Sequence, residues 1–114
     1  QTHPLPIPSG AKAHGISMIF SLAFHELGCY LNDSAMIDAG LEHANQVMTV
    51  YLHPEHKRLH EFVALDNSLM ETPPGRVVNP GHAIESMWFM IHIFQQRGDT
   101  ARVRQAIETI KWHI

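Results

Sequence analysis

The stretch from Asn79 to Gln96 constrains the fold most strongly. It opens with Asn79-Pro80-Gly81, in which a side chain able to cap a helix precedes a proline at the first helical position. Apolar residues then fill most positions as far as Phe94. The pattern predicts a helix from about residue 81 to 97 that is buried on most of its sides.

A polar stripe interrupts this apolar surface. At 100° per residue, the side chains of the stripe fall within an arc of about 80°, and they are His82, Glu85, Phe89, His92 and Gln96. On a buried helix such a stripe is expected to face a cavity. His82 and Glu85 are three residues apart in the first turn and can hydrogen-bond, and an imidazole suits proton transfer near neutral pH. The alternative is structural: His82 caps the helix, Glu85 complements its dipole, and His92 is a satisfied core histidine.

Apolar residues at helical spacing predict three more helices, at about 11–30, 34–51 and 100–114. Asn32-Asp33-Ser34 and Gly98-Asp99-Thr100 supply capping chemistry for two of them. Pro4, Pro6 and Pro8 predict an extended start. From 52 to 79 prolines and glycine break any helix, which predicts a long loop with a short strand in 59–65. We therefore expect an all-α single domain of two antiparallel helical hairpins with a loop and short β insertion.

Composition excludes several function classes. A net charge of −3 argues against a nucleic-acid partner. No apolar run of about 18 residues predicts a membrane span, and no segment resembles a signal peptide. The single cysteine, Cys29, gives no disulfide framework and is expected to be a small core residue. These features favour a cytoplasmic protein without a membrane partner.

Ten histidines are unusual in 114 residues. His53, His56 and His60 have spacings that would allow zinc ligation on a helix, but Pro54 lies among them, so solvated histidines are expected. The pair His25-Glu26 lacks the second histidine of a zinc-protease motif and is predicted to lie on a helix surface.

The run from Asn79 to Phe89, Asn-Pro-Gly-His-Ala-Ile-Glu-Ser-Met-Trp-Phe, resembles the signature of the N-acylglucosamine 2-epimerase family. The turn from Gln96 to Asp99 and the stretch from Pro4 to Leu27 fit the same family. The resemblance implies an (α/α)6 barrel, of which this chain is a partial segment. It also implies an isomerase of carbohydrate metabolism that epimerises or isomerises a sugar reversibly at C2.

The resemblance also implies roles for individual residues. His82 corresponds to one of two catalytic histidines that move the C2 proton of the ring-opened sugar through an enediol-type intermediate, and Glu85 supports it. Glu61 falls on an acidic family position and is expected to bind substrate, together with Phe89 and His92. No metal or other cofactor is implied, although a nucleotide effector is compatible with the family. The family's second histidine and its substrate-binding arginine have no match here.

Two hairpins cannot close such a barrel, and the chain starts at Gln1 without an initiator methionine. We therefore expect part of a longer polypeptide, inactive alone, whose partners are the sugar substrate, the remainder of the barrel and, in some assemblies, a second copy in a homodimer. Two alternatives stay open. One is a family member that has lost catalysis and serves protein interaction, and the other is a stand-alone helical interaction module.

Overall fold

The computed structural model describes residues 7–70 and 73–114, so the predicted extended start at Pro4 and Pro6 lies outside the described residues. Four helices make up most of the described chain. They are α1 (His14–Leu31), α2 (Ser34–Gln46), α3 (Pro80–Gln96) and α4 (Thr100–Trp112). Helix α1 packs along α2, and α3 packs along α4. The mostly helical class and the two predicted helical hairpins are confirmed.

Side-chain caps start three of these helices. The Met36 amide donates to the Asp33 carboxylate at 3.2 Å, and the Arg102 amide donates to the Asp99 carboxylate at 3.1 Å. Asn79 caps α3 in the same way. Each cap satisfies an amide that has no partner within its helix. The capping roles predicted for 32–34 and 98–100 are therefore confirmed.

One predicted helix boundary is wrong. Residues Ala11–Ala13 form a strand, β1, rather than the start of the first helix. Their extended backbone pairs with a later strand, which satisfies groups that a helix would otherwise have used. The segment predicted as a helix at 34–51 is helical throughout, but after Gln46 it continues as a π-helical turn, Val47–Tyr51. This turn buries Tyr51 and leads directly into the next strand.

The long connection between the two helical hairpins contains three further strands. They are β2 (Leu52–His53), β3 (Arg58–Leu59) and β4 (Phe62–Ala64). Strand β1 pairs with β4 antiparallel, with Ala13 opposite Phe62, and β2 pairs with β3 antiparallel, with His53 opposite Arg58. Two 3-10 turns, Pro54–His56 and Pro73–Arg76, complete the connection. The strand predicted within 59–65 is present, divided between β3 and β4.

The core lies where the π-helical turn, the strands and one face of α3 meet. Its fully buried members include Val47, Tyr51, Leu59, Val63, Met87, Met90 and Ile93. The prediction that α3 is buried on most sides is wrong, because Trp88 on the opposite face is 63% exposed. Within the described residues, α3 buries one face only.

His25 is another residue whose predicted placement is wrong. It is fully buried rather than on the helix surface, while its neighbour Glu26 is exposed as expected. The cause is the close approach of α2 at Gly40. A Cβ at Gly40 would lie 2.6 Å from the His25 backbone nitrogen, so only glycine permits this contact. The α2 backbone therefore covers the His25 side of α1.

No helix in residues 7–70 and 73–114 is both long and apolar enough to cross a membrane.

Candidate active site

His82 lies in the first turn of α3. Its backbone amide donates to Asn79 Oδ1 at 3.1 Å, and Pro80 occupies the first helical position. This cap fixes where the helix begins and therefore where the imidazole projects. The His82 side chain is 35% exposed, so part of the ring remains accessible to a ligand.

Glu61 is held beside His82 by its own backbone. Its amide donates to the Val77 carbonyl at 3.1 Å, and its carbonyl accepts from the His14 amide at 2.9 Å. The side chain is only 3% exposed. A buried carboxylate requires hydrogen-bonding or charged partners to offset its lost hydration. The partners of Glu61 are therefore central to the site.

The Glu61 carboxylate contacts the His82 ring. His82 Nδ1 lies 3.1 Å from Oε1 and 3.3 Å from Oε2. A carboxylate can only accept, so Nδ1 carries the proton and donates it to Glu61. In the neutral ring this leaves the lone pair on Nε2. The hydrogen bond therefore orients the imidazole and selects the tautomer in which Nε2 can act as a base.

A second histidine, His14, lies behind this pair. It is the first residue of α1, and its side chain is 1% exposed. Its Nδ1 lies 3.7 Å from Glu61 Oε2, and its Nε2 lies 2.5 Å from Ser86 Oγ, which is one turn along α3 from His82. The His14 and His82 rings have centroids 6.3 Å apart. We call His14, Glu61 and His82 the buried cluster.

Tyr51 completes the inner wall of the buried cluster. Its hydroxyl donates to the Ala13 carbonyl at 3.2 Å, and its ring meets the His14 ring edge-on at 5.7 Å. Burial, followed by the nearby Glu61 charge, raises the pKa of Tyr51 to about 12. Tyr51 therefore remains a neutral hydrogen-bond donor. Its hydrogen bond fixes the junction between β1 and α1, where His14 is the first helical residue.

The buried cluster has the donor set for more than one chemistry. Ser86 contacts His14, and His14 contacts Glu61, as the serine, histidine and carboxylate of a hydrolase triad do. Ser86 is fully buried, however, and could not reach a substrate. One ligand atom from each of His14, Glu61 and His82 lies within 4.8 Å of the others, a spacing that could hold a metal ion. The one partly exposed member is His82. An imidazole oriented by a buried carboxylate is best suited to moving a proton to and from a bound ligand.

The sequence model of the family described as N-acylglucosamine 2-epimerase (GlcNAc 2-epimerase) matches residues 14–111. The chain belongs to this family. The match begins at His14 and includes every member of the buried cluster. In a comparison with curated proteins, none matches the chain. Membership supports a sugar epimerase or isomerase as the general kind of enzyme.

The structure separates the residues that the family resemblance had suggested for the site. Glu61 lies against His82, whereas Glu85 is exposed one turn further along α3. Phe89 is half-buried, with its ring 6.5 Å from that of Trp88. His92 is farther along the helix, where its Nε2 lies 2.5 Å from Glu26 Oε1. The assigned roles of these residues in the epimerase family stay predictions.

Sequence reasoning missed His14. No spacing rule connects it with His82, because the two residues meet only after β1 pairs with β4 and brings the start of α1 to Glu61. The helix predicted from about residue 11 placed His14 inside its first turn, so the sequence contains no signal for this contact.

Proposed function

We propose that this chain carries one proton-transferring half of a sugar 2-epimerase or isomerase, within an (α/α)6 barrel completed by further helices. Its substrates would be C2 epimers such as N-acylglucosamine and N-acylmannosamine, or an aldose and the matching ketose. His82 removes or returns the C2 proton. The hydrogen bond from His82 Nδ1 to the buried Glu61 carboxylate carries this proposal.

The chemistry follows from the acidity of the C2 proton. In the open-chain sugar, the carbonyl at C1 stabilises the carbanion as an enediolate, so a positioned imidazole can take the proton. His82 Nε2 accepts it, and the imidazolium formed is stabilised by Glu61 through Nδ1–H. Return of a proton to the opposite face gives the epimer, and this step requires a second acid outside the buried cluster.

The half-exposed residues farther along α3 would then contact the sugar. A rise of 1.5 Å per residue places Phe89 about 10 Å and His92 about 15 Å along the helix from His82. Phe89 offers an aromatic face to the apolar side of a sugar. His92, which contacts Glu26, has a polar ring that can hydrogen-bond to the sugar hydroxyls. We propose Phe89 as a substrate-binding residue, and also His92 for a substrate that extends along α3.

The direct test is exchange of the C2 proton with deuterium in N-acylmannosamine, followed by NMR with the full-length protein. His82→Ala should slow exchange by about 10² to 10⁴-fold, the usual contribution of a general base. Circular dichroism should show that the fold is retained. Wild-type turnover by a folded His82→Ala variant would refute the proposal and favour a family member that only binds.

A second comparison decides which carboxylate serves His82. Glu61→Gln should slow exchange by about 10- to 100-fold, because a hydrogen bond to a charged group contributes about 1.5–3 kcal/mol. Glu85→Gln should have the smaller effect if Glu61 is the orienting group. Glu108→Gln on α4, which removes an exposed charge paired with Lys111, is the control and should leave exchange unchanged. A larger loss in Glu85→Gln than in Glu61→Gln would reverse the assignment.

A further inference from the structure

A second group of histidines lies at the tip of the β2–β3 hairpin and shares no residue with the buried cluster. The 3-10 turn Pro54–His56 connects the two strands, and Lys57 closes it in the left-handed region at φ 52°. This turn brings together one ligand atom from each of His53, Glu55 and His56 within 4.8 Å. We call these three residues the hairpin cluster. From the sequence, His53, His56 and His60 were expected to be solvated because Pro54 lies among them. That expectation is wrong for His60, which is buried, and the 3-10 turn brings His53 and His56 together with Glu55.

The hydrogen bonds of His53 expose one ring nitrogen to Glu55. Its Nε2 lies 3.0 Å from the Val50 carbonyl, which can only accept, so Nε2 carries a proton. In the neutral ring, Nδ1 then carries a lone pair instead of a proton. This atom lies 2.9 Å from Glu55 Oε1. Two acceptors at this distance need a cation between them, either a proton or a metal ion. A histidine whose second nitrogen donates to a backbone carbonyl is the usual arrangement of a metal ligand.

The remaining members of the hairpin cluster fit the same interpretation. The His56 ring lies parallel to that of His53, with centroids 6.1 Å apart and an interplanar angle of 19°. Two imidazoles and one carboxylate form a common ligand set for zinc sites that keep an open position.

His60 provides an independent observation beside the hairpin cluster. It is 4% exposed, and its ring centroid is 5.0 Å from that of His53. Its Nδ1 lies 3.1 Å from the Gly75 carbonyl and therefore donates. Its Nε2 lone pair is buried without a partner among the described residues. This nitrogen therefore offers an unused lone pair beside the hairpin cluster.

A cavity adjoins this group. Its volume is about 490 Å³, and His56, His60, Arg58 and Arg76 are among its lining residues. Water or a small anion in such a cavity could reach a metal ion held at His56, and the two arginines would favour an anion.

We propose that His53, Glu55 and His56 bind a divalent transition-metal ion of the zinc class, with the fourth coordination position open to the cavity beside His60. Nothing in this proposal depends on catalysis at His82. The ion would clamp the hairpin tip and supply a Lewis acid at the cavity mouth.

The test is titration of the full-length protein with Zn²⁺ by calorimetry and with Co²⁺ by visible absorption. One ion should bind with the absorption of a low-coordinate Co²⁺ site. Loss of an outer partner of a metal ligand usually weakens binding 10- to 100-fold, so His56→Ala and Glu55→Gln, which remove ligands, should each weaken it by more than about 100-fold. Circular dichroism should show both variants folded.

The matched controls concern the buried cluster, which could also hold a metal ion. His82→Ala should leave Zn²⁺ affinity and the Co²⁺ spectrum unchanged. Loss of the ion in His82→Ala, or wild-type affinity in a His53→Ala/His56→Ala double variant, would overturn the proposal. Activity at C2 is measured separately, so failure of the metal site and failure of the proton-transfer proposal are distinguishable.

Discussion

The buried cluster and the hairpin cluster contain the same side chains, two imidazoles and one carboxylate, but they are assembled in opposite ways. In the buried cluster, His82 and Glu61 are 21 residues apart in sequence, and a 3% exposed carboxylate lies between two helices. In the hairpin cluster, His53 and Glu55 are two residues apart, and the carboxylate is 60% exposed.

This difference has physical consequences. Bringing distant residues together costs chain entropy, which only the packing of the whole domain offsets. The geometry of the buried cluster therefore depends on global stability, and its low-dielectric surroundings strengthen each contact. The hairpin cluster needs only one turn to be in place. Its contacts are screened by water, so we expect it to contribute little to stability until a ligand binds.

The largest expected effect is a loss of stability from a substitution in the core beneath α3, which should not affect the hairpin cluster. Met90 is fully buried, and Met90→Ala should lower the free energy of unfolding by about 2–5 kcal/mol. Ile19→Ala, at a position 56% exposed, is the control and should change it far less. Urea denaturation followed by circular dichroism measures both. While the protein remains folded, Met90→Ala should leave Zn²⁺ affinity unchanged, and a large loss of affinity would show that the hairpin cluster also depends on global packing.

A smaller effect should come from the carboxylates themselves. Glu61→Ala removes the partner of His82 and leaves His14 Nδ1 buried beside a void, so unfolding free energy should fall by about 1–3 kcal/mol. For a domain of about 100 residues, 1 kcal/mol corresponds to a shift of about 4–8 °C in Tm. Glu55→Ala, on the exposed hairpin, should leave Tm unchanged within error. Equal shifts in the two variants would remove the distinction between the clusters.

The same contrast between local and long-range contacts explains which features could be predicted from the sequence. Helix starts were predictable because Asp33, Asn79 and Asp99 cap locally, within three residues of the amides that they satisfy. The family signature likewise lies within one helix and its cap, from Asn79 to Phe89. These features require no knowledge of distant contacts, so local rules are sufficient for them.

The contacts that define the candidate site were not predictable in the same way. Glu85 was the expected partner of His82 because it shares a helix face with it, whereas Glu61 reaches His82 only through the β1–β4 pairing and the hydrogen bond of Glu61 to Val77. The burial of His25 depends on the approach of α2 at Gly40. Spacing rules within one helix contain no information on such contacts, because they arise from tertiary packing.

The smallest expected effect is a pH dependence of stability caused by two buried histidines, His60 beside the hairpin cluster and His25 on α1. Burial lowers the pKa of His60, and burial followed by the charge of Arg97 lowers that of His25. In the unfolded chain both should titrate near 6.5. Below that pH the unfolded state binds more protons than the folded state, so stability is complete above about pH 6.5 and falls as the pH is lowered. Each group can contribute a slope of at most about 1.4 kcal/mol per pH unit.

Urea midpoints measured from about pH 7.5 to 5.5 check this expectation, since they span the unfolded-state pKa of histidine. His60→Gln should reduce the slope, because an amide can still donate to the Gly75 carbonyl but does not titrate. Ile19→Ala, at an exposed position without a titratable group, is the control and should retain the wild-type slope. An unchanged slope in His60→Gln would mean that His60 is solvated when the protein is folded. The distinction between the buried His60 and the exposed hairpin cluster would then be lost.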